Sequence, residues 1–288
     1  MSHSAKAKMI FLHALTPVHS GTGQAVAVVD LPVAREKATG FPIIPASSLK
    51  GVLRDALSDG APDGWVEKVF GKDVREGGDM TAGTLCFTDQ RILCLPVRSY
   101  FGTFAYVTCP LVLSRFVRDT SAFGLTPLFD AVPEVMDSGD TLHALVPNSS
   151  EVVKGGNLYL EDLDISAKPD QGAEAVAKAL AQVLFPDSPD TLVKRFVVVS
   201  NEVFNFLSET ALEVSARVRL KDDTKTVAQG ALWYEEAVPA ESIFHGVVMV
   251  ADFFRGDVQS LWQTFTPSLV QIGGNSSVGR GLCRVVVK

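Results

Sequence analysis

The chain has no run of about 18 apolar residues, the least that a membrane-crossing helix needs, and only four of its 288 residues are cysteines. The first absence argues against a helical membrane span. The cysteines (Cys86, Cys94, Cys109 and Cys283) make no C-x-x-C pair and have no histidine at zinc-ligand spacing. A structural zinc and a disulfide framework are therefore not expected, and the four read as small core residues. A Gly-Lys-Ser/Thr phosphate loop is also missing. So is a basic excess: 26 Lys and Arg stand against 33 Asp and Glu, a net charge of −7. A free-standing, non-specific nucleic-acid coat would be basic, because neutralising phosphates drives its affinity. A narrow basic groove on an acidic surface stays open. The opening "MSHSAKAKMIFLHALTPVHSG" lacks a long apolar stretch and a small-residue cleavage site, so no secretory signal is read and a cytoplasmic protein is expected.

What is present is a core-forming chain, 47% hydrophobic. Residues 8–15, "KMIFLHAL", and 25–33, "AVAVVDLPV", read as apolar strands. "PASSLKGVLRDALSDG" reads as a helix with Leu49, Val52, Leu53 and Leu57 on one face, Ser47 or Ser48 capping its start and Gly60 ending it. A short helix follows in "GWVEKVFG". Strands are expected in "GTLCFTDQRILCL" and "FGTFAYVTC", and Pro110 opens a helix in "PLVLSRFVRDT". Residues 121–171 look like an insertion rather than core. "AEAVAKALAQVLF" is helical, "RFVVVS" a buried strand, and residues 211–237 a long hairpin with "KDDTKT" at its tip. "ESIFHGVVMVADFF" is a strand, "VQSLWQTFTPSL" a helix, and "VQIGG" and "RVVVK" close the chain. Without a strict βαβ rhythm this favours an α+β fold on an antiparallel sheet, and the length allows one large domain or two small ones. His13 and His245 lie in apolar strands and are expected to be buried.

Two loops carry the chemistry. In "GTGQAVAVVDLP" the glycines are followed by strand formers rather than a helix, and Asp30 falls only seven residues past Gly23. A dinucleotide fingerprint needs a helix there and an acid about 20 residues on, so that reading fails. A glycine turn remains, with Asp30 at a strand end before Leu31-Pro32. There it either serves chemistry in a cleft or closes an Asx turn. In "QIGGNSSVGRGLCRV", Gly273, Gly274, Gly279 and Gly281 surround Asn275, Ser276, Ser277 and Arg280. Glycines let backbone approach a ligand, and successive amides can cradle an anion. A plain hairpin connection is the alternative.

Together these segments resemble a known family. "LTPVHSGTGQAVAVVDLPVAREKATGFPIIPASSLKGVLRDAL" is similar to the N-terminal signature of the RAMP superfamily of CRISPR proteins, and "GGNSSVGRGL" to its glycine-rich loop. With "ALWYEEAVPAESIF", the combination resembles the backbone subunit of type III-B (Cmr) effector complexes. The resemblance implies one domain over residues 1–288, a ferredoxin-like, RRM-type palm with inserted subdomains and a thumb β-hairpin at 211–237, residues 121–171 being a variable insertion. It implies copies stacked along a guide crRNA with other Cmr-complex subunits, cutting complementary target RNA at regular intervals. It also implies a divalent metal, Mg²⁺ or Mn²⁺.

Carried onto this sequence, the resemblance makes Asp30 the catalytic aspartate, as base or metal ligand. His19 is an acid/base candidate or a structural histidine of the turn. Glu235 and Glu236 either approach a neighbouring subunit's Asp30 or form a solvated pair at the hairpin base. Lys50, at a helix start, and Arg54, one turn on, are guide-phosphate ligands, with Gly273, Gly274, Asn275, Ser276, Gly279 and Arg280 as the second RNA-binding group. Trp233 and Tyr234 read as core aromatics rather than base-stacking ones. The alternatives left open are a non-catalytic guide-RNA scaffold and a RAMP endoribonuclease that processes the CRISPR transcript.

Overall fold

A computed structural model describes residues 6–21, 29–72, 81–220 and 227–288. Strand β1 (Ala7–Ala14) is almost wholly buried, as its unbroken apolar run requires. The strand expected at 25–33 is outside the described residues up to 28, and residues 29–35 run extended with isolated bridges only. After the short β2 (Ile43–Ile44) comes helix α1 (Ala46–Ala56), which buries Leu49 and Leu53 one turn apart. Its cap differs from the expectation. Pro45 precedes the helix without a side-chain cap, and Asp89 accepts a hydrogen bond from the Ala46 amide (2.8 Å). Ser47 and Ser48 thus lie inside the first turn, and Lys50 on the second.

Helix α2 (Trp65–Phe70) leads into a small ribbon, β3 (Gly71–Lys72) with β4 (Thr81–Ala82). Then come β5 (Leu85–Phe87), β6 (Gln90–Arg98), β7 (Phe104–Thr108) and helix α3 (Pro110–Ala122). Residues 121–171 are built into the core. Their strands β8 (Leu142–Val146), β9 (Asn157–Leu160) and β10 (Leu163–Pro169) join the main sheet and bury Leu145, Val146, Leu158, Leu160 and Ile165. Each strand is short and punctuated by turns, which hides its pairing from the sequence.

Helices α4 (Gln171–Leu184) and α5 (Asp190–Val193) precede β11 (Phe196–Val199) and α6 (Asn201–Thr210). The expected hairpin is present as β12 (Glu213–Leu220) and β13 (Val227–Ala237), with its "KDDTKT" tip outside the described residues. Strand β14 (Ile243–Val250), helix α7 (Val258–Thr264) and strands β15 (Leu269–Gln271) and β16 (Leu282–Val287) complete the chain.

Among the described residues the main sheet has 12 strands, running β15-β16-β1-β14-β6-β7-β11-β8-β10-β9, with β2 beside β6 and β5 beside β14. The segment β16-β1-β14-β6 is antiparallel throughout. The whole sheet is mixed rather than antiparallel, because β7 with β11 and β8 with β10 pair in parallel. Parallel neighbours need a long crossover, and the chain between β7 and β11 supplies one through α3 and α4. The fold class is α+β. Three cysteines are core residues as expected, but Cys86 is exposed on β5. His13 and His245 are both buried.

Candidate nucleic-acid interface and active site

Three segments far apart in sequence meet at the base of the hairpin. Val18 forms a bridge with Val238, and Gly21 with Val33, so residues 18–21 lie between β13 and the 30–34 segment. The His19 carbonyl accepts a hydrogen bond from the Gly274 amide (3.1 Å), which ties in the glycine-rich loop. His19, Ser20, Gly21, Leu31, Pro32, Ser48, Gly273 and Gly274 line one open cavity of about 300 Å³.

Glycine is required at position 273, where backbone crowds a left-handed residue, while Gly21 faces only the His19 ring. A Cβ on Gly21 would sit 2.7 Å from His19 Nε2, and one on Gly273 (φ +84°) would overlap the His19 carbonyl oxygen. His19 Nδ1 lies 2.6 Å from the Glu236 carbonyl oxygen. A carbonyl only accepts, so Nδ1 carries the proton and the neutral ring keeps its lone pair on Nε2.

Asp30 is exposed beside this cavity, and its Oδ2 accepts a hydrogen bond from the Tyr234 amide of β13 (2.7 Å). Leu31 pairs in parallel with Glu235: its amide donates to the Tyr234 carbonyl (3.1 Å) and its carbonyl accepts from the Glu236 amide (3.0 Å). The putting-together of strand and carboxylate is thus done by the hairpin. The Asp30 carboxylate is neither a free strand-end acid nor the head of a local Asx turn.

Glu235 and Glu236 are buried, at 3% and 6% exposure, so the solvated-pair reading is corrected. The Glu236 carboxylate accepts from the Val33 amide (3.0 Å) and from Arg35 Nη2 (2.6 Å), while Arg35 Nη1 donates to the Gly40 and Ser208 carbonyls. Glu235 accepts from Asn275 Nδ2 (2.5 Å), with Arg217 at 3.8 Å and Arg280 at 3.9 Å. Buried carboxylates require such partners. The side chains of Asn275 and Arg280 therefore face the hairpin rather than solvent. Arg280 also donates to Ser215 Oγ (3.2 Å) and lies 3.9 Å from Glu213. Gly273, Gly274, Ser276 and Gly279 are exposed around a single 3₁₀ turn, with Asn275 (φ +66°) and Gly279 (φ +77°) left-handed at its two ends.

Lys50 and Arg54 face a different concavity, across α1 from Ser48. Tyr234 is 44% exposed and is not a core aromatic, whereas Trp233 is half-buried. Among the described residues no group of three or more His, Cys, Asp or Glu gathers as a metal cage. The donor set near Asp30 is one exposed carboxylate. That suits Mg²⁺, which keeps several waters and takes one or two carboxylates together with substrate phosphates, and it does not suit a resident metal held by protein alone.

The sequence pattern of the RAMP superfamily matches residues 11–284. The chain belongs to the RAMP superfamily. Within it, the chain is 35% identical over 291 residues to the CRISPR system Cmr endoribonuclease Cmr4 of Pyrococcus furiosus, covering 98% of this chain and 96% of that protein. The crystal structure of oligomeric Cmr4 from Pyrococcus furiosus superposes with a TM-score of 0.77 at 30% identity, covering 98% of both chains. A chain of the cryo-EM structure of the type III-B Cmr-beta complex bound to cognate target RNA shares the fold, with a TM-score of 0.76 at 21% identity over 99% of this chain and 98% of that one. Against this RAMP background, the sequence did not anticipate Lys72 beside Lys50. It also missed the Glu36 carboxylate, which bridges Arg115 and Arg91 and is held at a pKa of about 2, chiefly by its hydrogen bond from Arg115. Each pairing joins residues too far apart in sequence for spacing to reveal it.

Proposed function

We propose that this RAMP chain is the backbone subunit of a type III-B CRISPR effector, which polymerises along guide crRNA and cleaves complementary target RNA at regular intervals. The observation that carries this reading is the exposed Asp30 carboxylate, fixed by the hairpin backbone at the rim of the His19–Gly274 cavity. The relatives named Cmr4 support the assignment to such a complex, and their oligomer supports self-assembly, with other Cmr-complex subunits as further partners. The order β16-β1-β14-β6, with α1 after β1 and α7 after β14, supports a ferredoxin-like, RRM-type palm. No described helix is long and apolar enough to cross a membrane.

The chemistry is transesterification. A target ribose 2′-oxygen attacks the adjacent phosphorus, the bond to the 5′-oxygen breaks, and a 2′,3′-cyclic phosphate and a 5′-hydroxyl result. The free enzyme group best placed to take the 2′-proton is the Asp30 carboxylate, whose Oδ2 is oriented by Tyr234 while Oδ1 has no hydrogen-bond partner among the described residues. Bound beside Asp30, Mg²⁺ or Mn²⁺ would polarise the phosphoryl oxygens. His19, with its lone pair on Nε2, is a second proton acceptor facing the cavity, and the departing 5′-oxygen takes its proton from solvent water. The hairpin, acting as the thumb, would bend the target until the 2′-oxygen lies in line with its leaving group, which is catalysis by positioning.

The test is target cleavage by the guide-loaded complex with Asp30→Ala and Asp30→Asn, in a divalent-metal titration. We expect regularly spaced cuts to fall at least about a hundredfold, with target binding kept. Wild-type cutting by both variants would leave the chain a scaffold. Metal-independent cutting of the CRISPR transcript instead would favour the processing-nuclease alternative.

A further inference from the structure

We propose that Lys72, on the β3–β4 ribbon, is an RNA-phosphate ligand that extends the guide track past α1; this rests on the reading of the chain as an RNA-guided backbone subunit. Lys72, Lys50 and Arg54 line one open cavity of about 510 Å³, with no carboxylate among its described lining residues. On a chain with a net charge of −7, such a patch is exceptional. In the cavity beside α3, of about 330 Å³, Arg91 and Arg118 both turn onto Asp119; in the cavity beside α1, Arg54 also has a partner, and the unanswered charge among the described residues is that of the two lysines. Lys50 and Lys72 have no ion-pair partner among the described residues.

Two glycines hold the ribbon tightly against α2. Gly71 adopts φ +91°, and a Cβ there would lie 2.7 Å from the Thr81 carbonyl oxygen. A Cβ on Gly83 would lie 2.5 Å from the Phe70 carbonyl carbon. These glycines let β4 fold closely onto the end of α2, and Lys72 lines the same cavity as Lys50. Ser48, two residues before Lys50 on α1, lines the cavity shared by His19 and Gly274. The two concavities therefore flank α1 on opposite sides. Each is open to solvent, which suits a polymer backbone and not an enclosed small anion.

The experiment is binding of the full chain to fluorescent single-stranded guide RNA over a KCl series, with Lys72→Ala, Lys72→Arg, Lys50→Ala and Lys168→Ala as a distant control. One lost phosphate contact lowers the slope of log K against log salt by about 0.7 for a single strand. We expect that reduction and a several-fold weaker affinity for Lys72→Ala, with both restored in Lys72→Arg and unchanged in Lys168→Ala. An unaltered slope for Lys72→Ala, while Lys50→Ala loses one contact, overturns the extension and leaves the guide track over α1 intact. Unaltered slopes for both overturn the track itself. In the guide-loaded complex, Lys72→Ala should shed guide on a salt challenge yet capture target normally per guide bound. A loss confined to target capture would overturn the guide assignment.

Discussion

At the residue scale, the glycine-rich loop separates positions that need glycine for conformation alone from those that need it for space. Gly279 has φ +77° and nothing within 4 Å of a Cβ built on it. Gly273 has φ +84° and also presses against the His19 carbonyl, and Gly281 (φ +81°) presses likewise against the Ile272 carbonyl. Alanine at Gly279 should cost about 1 kcal/mol, the strain of a left-handed backbone. Alanine at Gly273 or Gly281 should cost several-fold more, because backbone must move as well. Chemical denaturation of the three variants checks this order; equal losses would mean the contact with His19 yields freely. The glycine turns were legible because backbone preference is local, whereas the Asp30 carboxylate is set by the Tyr234 amide on a distant strand. The side chains of Asn275 and Arg280 turn to Glu235, 40 or more residues away on another element, and that direction could not be read from the loop. Nothing in a loop's own sequence distinguishes an arginine facing RNA from one facing a buried carboxylate.

At the element scale, the hairpin was legible as two strand-forming runs around a polar tip, and its base also organises residues 30–33. Asp30, Leu31 and Val33 are all hydrogen-bonded to it, through the Tyr234 amide and carbonyl, the Glu236 amide and the Glu236 carboxylate. A hairpin that moved would therefore carry the Asp30 carboxylate with it. The Arg35–Glu236 pair locks that connection. Glu236→Gln preserves shape but removes the charge that holds Arg35. In the guide-loaded complex it should lower the cleavage rate about tenfold or more with target affinity unchanged, since small misplacements of a reacting group are expensive. A variant that melts earlier yet cuts at the wild-type rate per folded complex would reduce the pair to a structural clasp. Helix α6 was not foreseen, although Ser200 caps it by accepting from the Val203 amide (3.2 Å) and Val203, Phe204 and Leu207 are its buried face. It starts directly after the apolar run of β11, and periodicity cannot divide so abrupt a change from strand to helix. Strands β8 to β10 were missed for the complementary reason: each is a short piece whose burial depends on a neighbour supplied from elsewhere in the chain.

At the scale of the whole molecule, the sheet encloses a titratable group that links folding to pH. His245 on β14 is 6% exposed and packs edge-on against Phe116. Burial pulls its pKa down to about 4. Asp119 on α3 pulls the other way, and Arg91 on β6 and Arg115 on α3 add to the depression. An unfolded histidine titrates near 6.5. Between about 6.5 and 4 the unfolded chain thus binds a proton that the folded chain refuses, and stability falls as pH falls through that window. The difference of about 2.5 pH units corresponds to roughly 3 kcal/mol, fully present above pH 6.5. Glu36, with its pKa lowered to about 2, also stabilises the fold at neutral pH, but its contribution is lost only below about 4.5. The interval from 6.5 to 4.5 therefore isolates His245 from Glu36. Urea midpoints measured across it should decline for the wild type and stay nearly flat for His245→Leu, whatever that variant's absolute stability. A wild-type midpoint that holds steady from pH 6.5 to 4.5 would mean that the folded sheet admits the proton, with Asp119 outweighing burial and the two arginines.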